Sequence, residues 1–130
     1  MSPVARQAIQ TDAAPAAIGP YSQAVRAGEF LFVSGQIPLD PVSGQVVEGG
    51  AAEQTHRVMR SLGAVLAAAG ADYDKVVRTT IFLTDLGDFA LVNDAYGRYF
   101  TNPAPARATV EVAALPKGVH VEIDAIAHLG

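Results

Sequence analysis

The feature that most constrains this fold is the alternation of apolar and polar residues near the end of the chain, which predicts strands at Ala108–Ala113 and Val119–Ala127. In a strand, successive side chains point to opposite faces of the sheet. The second strand alternates strictly between an apolar set (Val119, Val121, Ile123 and Ala125) and a polar set (His120, Glu122 and Asp124). We therefore expect a sheet with one apolar face packed on helices and one polar face.

The segments before these strands predict an α+β fold with the element order ββαβαββ. Two helices are expected to pack on one face of a mixed sheet, and one domain is expected to span residues 1–130. The predicted elements are two strands within Ala24–Gly35 around an Ala27-Gly28-Glu29 turn, a helix over Ala51–Ala69 followed by Gly70, a strand over Asp74–Leu86, and a helix from Asp88, its N-cap, to Phe100.

The short connection "ALPKG" between the last two strands predicts an antiparallel hairpin centred near Leu115-Pro116. In that register Thr109 lies opposite Glu122. Arg107 and Glu122 would then occupy the same polar face, together with Thr109, Glu111, His120 and Asp124. Val110 and Val112 would face the helices.

Composition excludes several classes of function. Nine Lys/Arg against thirteen Asp/Glu give a net charge of −4 without a basic cluster, which argues against nucleic acid as a partner. The absence of cysteine excludes disulfides and thiol catalysis. No apolar run approaches the roughly 20 residues of a membrane span, and the N-terminal "MSPVARQAIQ" is too polar for a signal peptide, so a cytoplasmic location is expected.

Arg107 raises the main functional question, because a guanidinium keeps its charge and is costly to bury without an anion. The pattern leaves two interpretations open. Arg107 forms a structural ion pair with Glu111 or Asp124, or it binds a carboxylate brought from outside. Two interpretations are open for Glu122 as well: it is a solvated carboxylate on the sheet surface, or it transfers protons in a cleft. The three histidines, at 56, 120 and 128, lack the paired spacing of a metal site, and no GxSxG or phosphate loop occurs.

Four stretches resemble the RidA (YjgF-type) family of enamine/imine deaminases: "GPYSQAV", "VSGQIPLDPVSGQ", "DFALVNDAYGRYF" and "PARATVEVAALPKGVHVEIDAIA". The resemblance covers nearly the whole chain in the same order. It implies a chorismate-mutase-like homotrimer with a central barrel-like core and a small pocket in each subunit cleft. It also implies hydrolysis of reactive 2-enamino and 2-imino acids, such as 2-iminobutanoate and 2-iminopropanoate, to 2-keto acids and ammonia without cofactor or metal.

The resemblance assigns roles to particular residues. Arg107 falls on the family's carboxylate-binding arginine and Glu122 on its acidic residue, which makes these two the expected catalytic pair. The expected substrate-binding residues are Tyr21, Ser34, Gly35 through its backbone N–H, Asn93, Arg107 and Thr109. One departure is that many members carry a cysteine where this chain has Thr109. A second departure is a short loop, "TNPAPAR", before Arg107.

Two rival functions remain beside the deaminase. The same clefts could sense a keto acid or another small carboxylate without turnover. A mutase of the chorismate type shares the general architecture, but its dianionic substrate would call for several cations, and the expected site offers Arg107 alone. Translation inhibition and RNA cleavage have also been linked to family relatives, and the acidic balance of this chain argues against them.

Overall fold

A computed structural model describes residues 5–130, so residues 1–4, on which the signal-peptide expectation partly rests, lie outside the described part. Within residues 5–130 a six-stranded mixed sheet carries two α-helices on one face, which confirms the predicted α+β class. The elements are β1 (Gln7–Ile9), β2 (Ala24–Ala27), β3 (Phe30–Gln36), α1 (Ala51–Ala68), β4 (Val76–Leu83), α2 (Phe89–Gly97), β5 (Ala106–Glu111) and β6 (Val121–His128).

Helix α1 follows the predicted pattern closely. Its residues at steps of three and four, Val58, Leu62, Val65 and Leu66, are fully buried against the sheet. The Glu53 carboxylate accepts a hydrogen bond from the Gly50 backbone N–H at 3.1 Å, which satisfies a polar group at the start of the helix. Gly70 has φ +76°, the left-handed conformation that ends many helices. No helix within residues 5–130 has the length and apolar character needed to cross a membrane.

The predicted bounds of the last three strands differ from the structure by one to three residues at each end, and three further details differ as well. Strand β1 was not predicted, because three residues are too few to show a periodicity. Helix α2 ends at Gly97 rather than at Phe100. Asp88 precedes α2 as expected, but its side chain makes no capping hydrogen bond, because a 3-10 turn over Leu86–Asp88 runs directly into the helix and holds Asp88 in a helical conformation.

The predicted hairpin between the last two strands is wrong. The sheet order is β1-β2-β3-β6-β4-β5, so β6 lies in the centre, antiparallel to both β3 and β4. Strand β5 lies at the edge and pairs parallel to β4, and Glu122 lies opposite Phe82 rather than Thr109. The physical reason is that β4, α2 and β5 form a strand–helix–strand crossover, which is how parallel strands are connected.

This topology reverses the predicted face of β5. Arg107 and Thr109 pair with Thr79 and Ile81, which are buried under the helices. Paired residues of neighbouring strands point to the same side, so Arg107 and Thr109 face the helices, as does Glu111. Val110 points the other way and is 40% exposed.

The face of the sheet away from the helices, here called the open face, carries both polar and aromatic side chains. Glu122 and Asp124 of β6 lie on it, as the alternation predicted, and are half-buried. On neighbouring β3, Phe30 and Phe32 are 43% and 47% exposed, although aromatic rings of this size usually lie in a core. The open face is therefore more apolar than a solvated sheet face requires.

Candidate active site

Four of the predicted site residues line one cavity of about 700 Å³: Tyr21, Ser34, Gly35 and Glu122. Its walls are completed by apolar residues of the loops on either side, Pro15, Ile18, Ile37 and Leu39. A cleft with an apolar wall and a few convergent polar groups is the usual form of a small-molecule site. We refer to these four predicted residues as the Glu122 cluster.

Glu122 is the only acidic side chain among the residues that line this cavity, within the part of the chain described. Partial burial raises the pKa of its carboxyl group, and the like charge of Asp124, two residues along the same face, raises it further. A Cβ atom at Gly35 would overlap the Glu122 carboxylate, so the backbone of β3 approaches that group more closely than any other residue type would allow.

Ser34 and Tyr21 occupy different parts of the cavity. The Ser34 hydroxyl donates to the Ser22 carbonyl oxygen at 2.6 Å, so its proton is engaged and its lone pairs remain able to accept a hydrogen bond. Tyr21 is 53% exposed and lies at the rim, shortly after Gly19, whose φ of +124° turns the chain. The tyrosine ring is therefore placed to cover a bound molecule.

The other predicted residues form a second group, the Arg107 cluster, on the opposite face. The Arg107 Nη1 atom donates to the Asn93 Oδ1 atom at 2.8 Å. The guanidinium carbon lies 5.6 Å from the centre of the Phe89 ring and 5.2 Å from that of the Tyr96 ring. Two aromatic faces and one amide thus fix the guanidinium without neutralising its charge.

The contacts of Arg107 decide against the first of its two interpretations. Among residues 5–130, neither Glu111 nor Asp124 forms an ion pair with it. The Glu111 carboxylate instead accepts a hydrogen bond from the Leu86 backbone N–H at 2.9 Å. Thr109, two residues along β5, has a buried hydroxyl oxygen without a hydrogen-bond partner.

The two clusters do not meet within one chain, which corrects the prediction that Arg107 and Glu122 share a surface. Two strand spacings of about 4.8 Å and three residues of about 3.3 Å separate their backbones, so the two Cα atoms lie roughly 14 Å apart. Their side chains point to opposite faces of the sheet. A substrate with a four-carbon skeleton cannot contact both in a single subunit.

Two features of the site were missed from sequence. The aromatic rings that support Arg107 could be predicted from the sequence, because Phe89, Asn93 and Tyr96 are spaced by four and three residues and so share a face of α2. Gln23, which lines the same cavity as Glu122 and is 3% exposed, had none, because the segment around it has no periodicity. Across residues 5–130, no three His, Asp or Glu side chains gather closely enough to hold a metal ion.

Comparison with known proteins places this geometry in a family. Residues 11–129 match the family described as Endoribonuclease L-PSP. Protein DfrA of Myxococcus xanthus is 64% identical over 129 residues, with 98% of each chain covered. The 2-iminobutanoate/2-iminopropanoate deaminase of Mus musculus is 52% identical over 130 residues, covering all of this chain and 96% of its own.

Solved structures of similar proteins support the same family assignment. The Rid-family protein YyfA from Yersinia pestis has a TM-score of 0.93 at 50% identity, covering 95% of this chain and 99% of its own. The E. coli protein TdcF, solved with bound serine, has a TM-score of 0.90 at 39% identity, with coverage of 95% and 99%. The resemblance to RidA proteins is thereby confirmed, and the chain belongs to the Endoribonuclease L-PSP family, which includes the Rid proteins.

Proposed function

We propose that this protein is a cofactor-independent deaminase that hydrolyses reactive 2-enamino and 2-imino acids to 2-keto acids and ammonia, and so removes them before they cause damage. The observation that carries the proposal is Arg107, which is held by an amide and two aromatic rings and has no carboxylate partner among the described residues. A planar guanidinium in this state can bind an α-carboxylate through two parallel hydrogen bonds. The mouse relative named as such a deaminase supports the same substrate class.

The family resemblance implies a homotrimer with sites in its subunit clefts, and the separation of the two clusters within one chain supports a site shared between subunits. If the Arg107 cluster of one subunit meets the Glu122 cluster of the next, the contact is head-to-tail and can close into a ring. In the homotrimer that the resemblance implies, such a ring has three equal sites. Strand β5 lies at the edge of the sheet, so Arg107 is accessible to a neighbouring subunit. The exposed Phe30 and Phe32 rings on the open face give such a neighbour an apolar surface to cover.

The reaction can be written from these groups. Arg107 holds the carboxylate, and the Glu122 carboxylate takes a proton from water while the water oxygen adds to C2 of the protonated imine. The electron pair of the C=N bond moves to nitrogen and gives a carbinolamine. Glu122 then returns its proton to nitrogen, and the C–N bond breaks with its electron pair going to nitrogen. The hydroxyl proton passes through the Glu122 carboxylate to the departing ammonia, which leaves the keto acid and ammonium. An enamine first becomes the imine by protonation at C3.

The surrounding residues complete the site in this proposal. Tyr21 covers the substrate and excludes water, Ser34 and the Gly35 N–H contact it in the cavity, and Asn93 and Thr109 belong to the carboxylate end. No metal or cofactor enters the reaction. We further propose that residues 1–130 act as one domain and that the protein works in the cytoplasm, in keeping with its lack of cysteine.

A competition assay tests the proposal. A threonine dehydratase generates 2-iminobutanoate, semicarbazide captures the free imine, and the protein competes for it. Arg107→Lys keeps the charge and loses the fork, and we expect a roughly 10- to 100-fold loss of activity because a hydrogen bond to a charged group contributes about 1.5–3 kcal/mol.

Arg98→Lys is the matched control, because the Arg98 side chain forms an exposed ion pair with Asp94, four residues earlier, which contributes little. Unchanged turnover in Arg107→Lys would refute the clamp. If the wild-type protein leaves semicarbazone formation unchanged while 2-ketobutanoate raises its melting temperature, the protein senses small carboxylates and is not a deaminase.

A further inference from the structure

The segment from Thr11 to Ser22, between β1 and β2, has no regular secondary structure and forms part of the wall of the Glu122 cavity. Residues 15–23, which extend one residue beyond this segment, form a compact surface loop whose two ends are joined by a hydrogen bond. We call residues 15–23 the rim loop. It carries Ile18, which is 85% exposed, and Tyr21.

A single buried side chain closes this loop. The Gln23 Nε2 atom donates to the carbonyl oxygens of Thr11, Ala14 and Pro15 at 3.0, 3.3 and 2.8 Å. Its Oε1 atom accepts from the Thr11 backbone N–H at 2.8 Å. Both ends of the amide are thus used, and only a primary amide of this length can donate and accept in this way.

The position of Gln23 links this closure to the site. Its bond to the Pro15 carbonyl joins the two ends of the rim loop across eight residues. Its own backbone carbonyl accepts from the Ser34 N–H at 2.9 Å, which ties the end of the loop to the strand carrying Ser34 and Gly35. Tyr21 stands two residues before Gln23, so its reach over the cavity depends on where the amide holds the chain.

We propose that Gln23 is a positioning residue for the deaminase reaction, which acts by closing the rim loop so that Tyr21 covers the substrate. The expected effect on activity rests on the proposed function. The closure of the rim loop rests only on the hydrogen bonds of Gln23. A purely structural role, in which the amide only stabilises the fold, predicts a different pattern of coupling between residues.

The test is a double-mutant cycle between Gln23→Met and Tyr21→Ala, which removes the covering ring, with 2-iminobutanoate hydrolysis as the readout. Gln23→Met keeps the length of the side chain and removes all four hydrogen bonds. We expect it to lower kcat/KM about tenfold in the wild-type background, and clearly less when Tyr21 is already Ala, because both changes then remove the same contact. An equal loss in both backgrounds would overturn the proposal.

Thr55→Val supplies the matched control for lost stability. The Thr55 hydroxyl is fully buried in α1 and donates to the Ala51 carbonyl oxygen at 2.7 Å, away from the cavity. Its loss should lower the melting temperature without changing kcat/KM. A Thr55→Val variant with the same loss of activity as Gln23→Met would also overturn the proposal.

Limited chymotrypsin cleavage after Tyr21 measures the loop directly and does not depend on turnover. We expect Gln23→Met to be cut several-fold faster than Thr55→Val, since an open loop reaches the protease without global unfolding. If the wild-type protein shows no imine hydrolysis, the proposed function fails, and faster cleavage still supports closure by Gln23. Equal cleavage rates in the two variants would refute the closure itself.

Discussion

Replacing Gly35 by alanine tests whether the position of the Glu122 carboxylate controls the reaction. Gly35 does not have a positive φ, so alanine fits the backbone without strain. The added Cβ would lie 2.8 Å from the Glu122 Cδ atom, whereas two carbon atoms pack at about 3.5 Å or more. The carboxyl carbon must therefore move by at least about 0.7 Å, and its nearer oxygen by more.

The expected consequence is a loss of activity without a matching loss of stability. Because Glu122 is a flexible side chain that can turn aside, we expect the free energy of unfolding to change by less than about 1 kcal/mol. A displacement near 1 Å at a reacting group costs about 100-fold in kcat/KM, which corresponds to about 2.7 kcal/mol in the activation barrier.

The assay is steady-state hydrolysis of 2-iminobutanoate alongside chemical denaturation. Gly97→Ala is the matched control, because a Cβ at Gly97 meets no atom within 4 Å. That variant should keep full activity and gain stability slightly, as glycine is a poor helix former. A Gly35→Ala variant whose kcat/KM stays within about twofold of wild type would refute the argument that Glu122 must be held against Gly35.

Three further predictions concern Glu122, Arg107 and the groups beside them. Asp124→Asn removes the like charge that helps to raise the pKa of Glu122, so the rise of kcat/KM with pH should begin at lower pH than in wild type, and an unchanged pH profile would contradict this. Because the pKa of Glu122 is raised in the folded protein, the protonated carboxyl group stabilises the fold, and this contribution is lost as pH rises from 4.5 through the raised pKa. Glu122→Gln, which stays neutral, should therefore melt at a higher temperature than wild type at pH 7. Thr79→Val removes the 2.7 Å hydrogen bond to the Tyr96 hydroxyl and should lower the free energy of unfolding, measured in urea, by about 1–3 kcal/mol. It should also raise the KM for the substrate, because the Tyr96 ring supports Arg107. A variant as stable as wild type would show that water satisfies the Tyr96 hydroxyl.

The sequence predicts elements better than it predicts their pairing. Helix α1 and the β2–β3 hairpin follow from local signals, namely a three-to-four spacing and a turn at Gly28, whose φ is +61°. The partners of β5 depend on distant parts of the chain, whereas the short connection before β6 predicts a hairpin that does not form. The strand–helix–strand order through α2 is the better signal, because it requires a parallel pair.

In the candidate site, too, the parts that depend on local pattern are predicted better than those that depend on strand pairing. Tyr21, Ser34, Gly35 and Glu122 line one cavity, whereas Arg107, Asn93 and Thr109 lie on the other face of the sheet. Alternation along β6 placed Glu122 on the correct face, whereas the wrong pairing of β5 placed Arg107 there too. A side chain's face follows from its neighbours in the sheet, so one error of topology moved the whole Arg107 cluster to the wrong side.

Activity in mixed trimers tests most directly whether each site takes Arg107 from one subunit and Glu122 from the next. Subunits carrying Arg107→Ala and subunits carrying Glu122→Gln are co-expressed with different tags, and heterotrimers are purified through both tags. In a head-to-tail trimer of either composition one of the three sites is intact, so we expect about one third of wild-type activity. Heterotrimers no more active than either parent variant would refute a site shared between subunits.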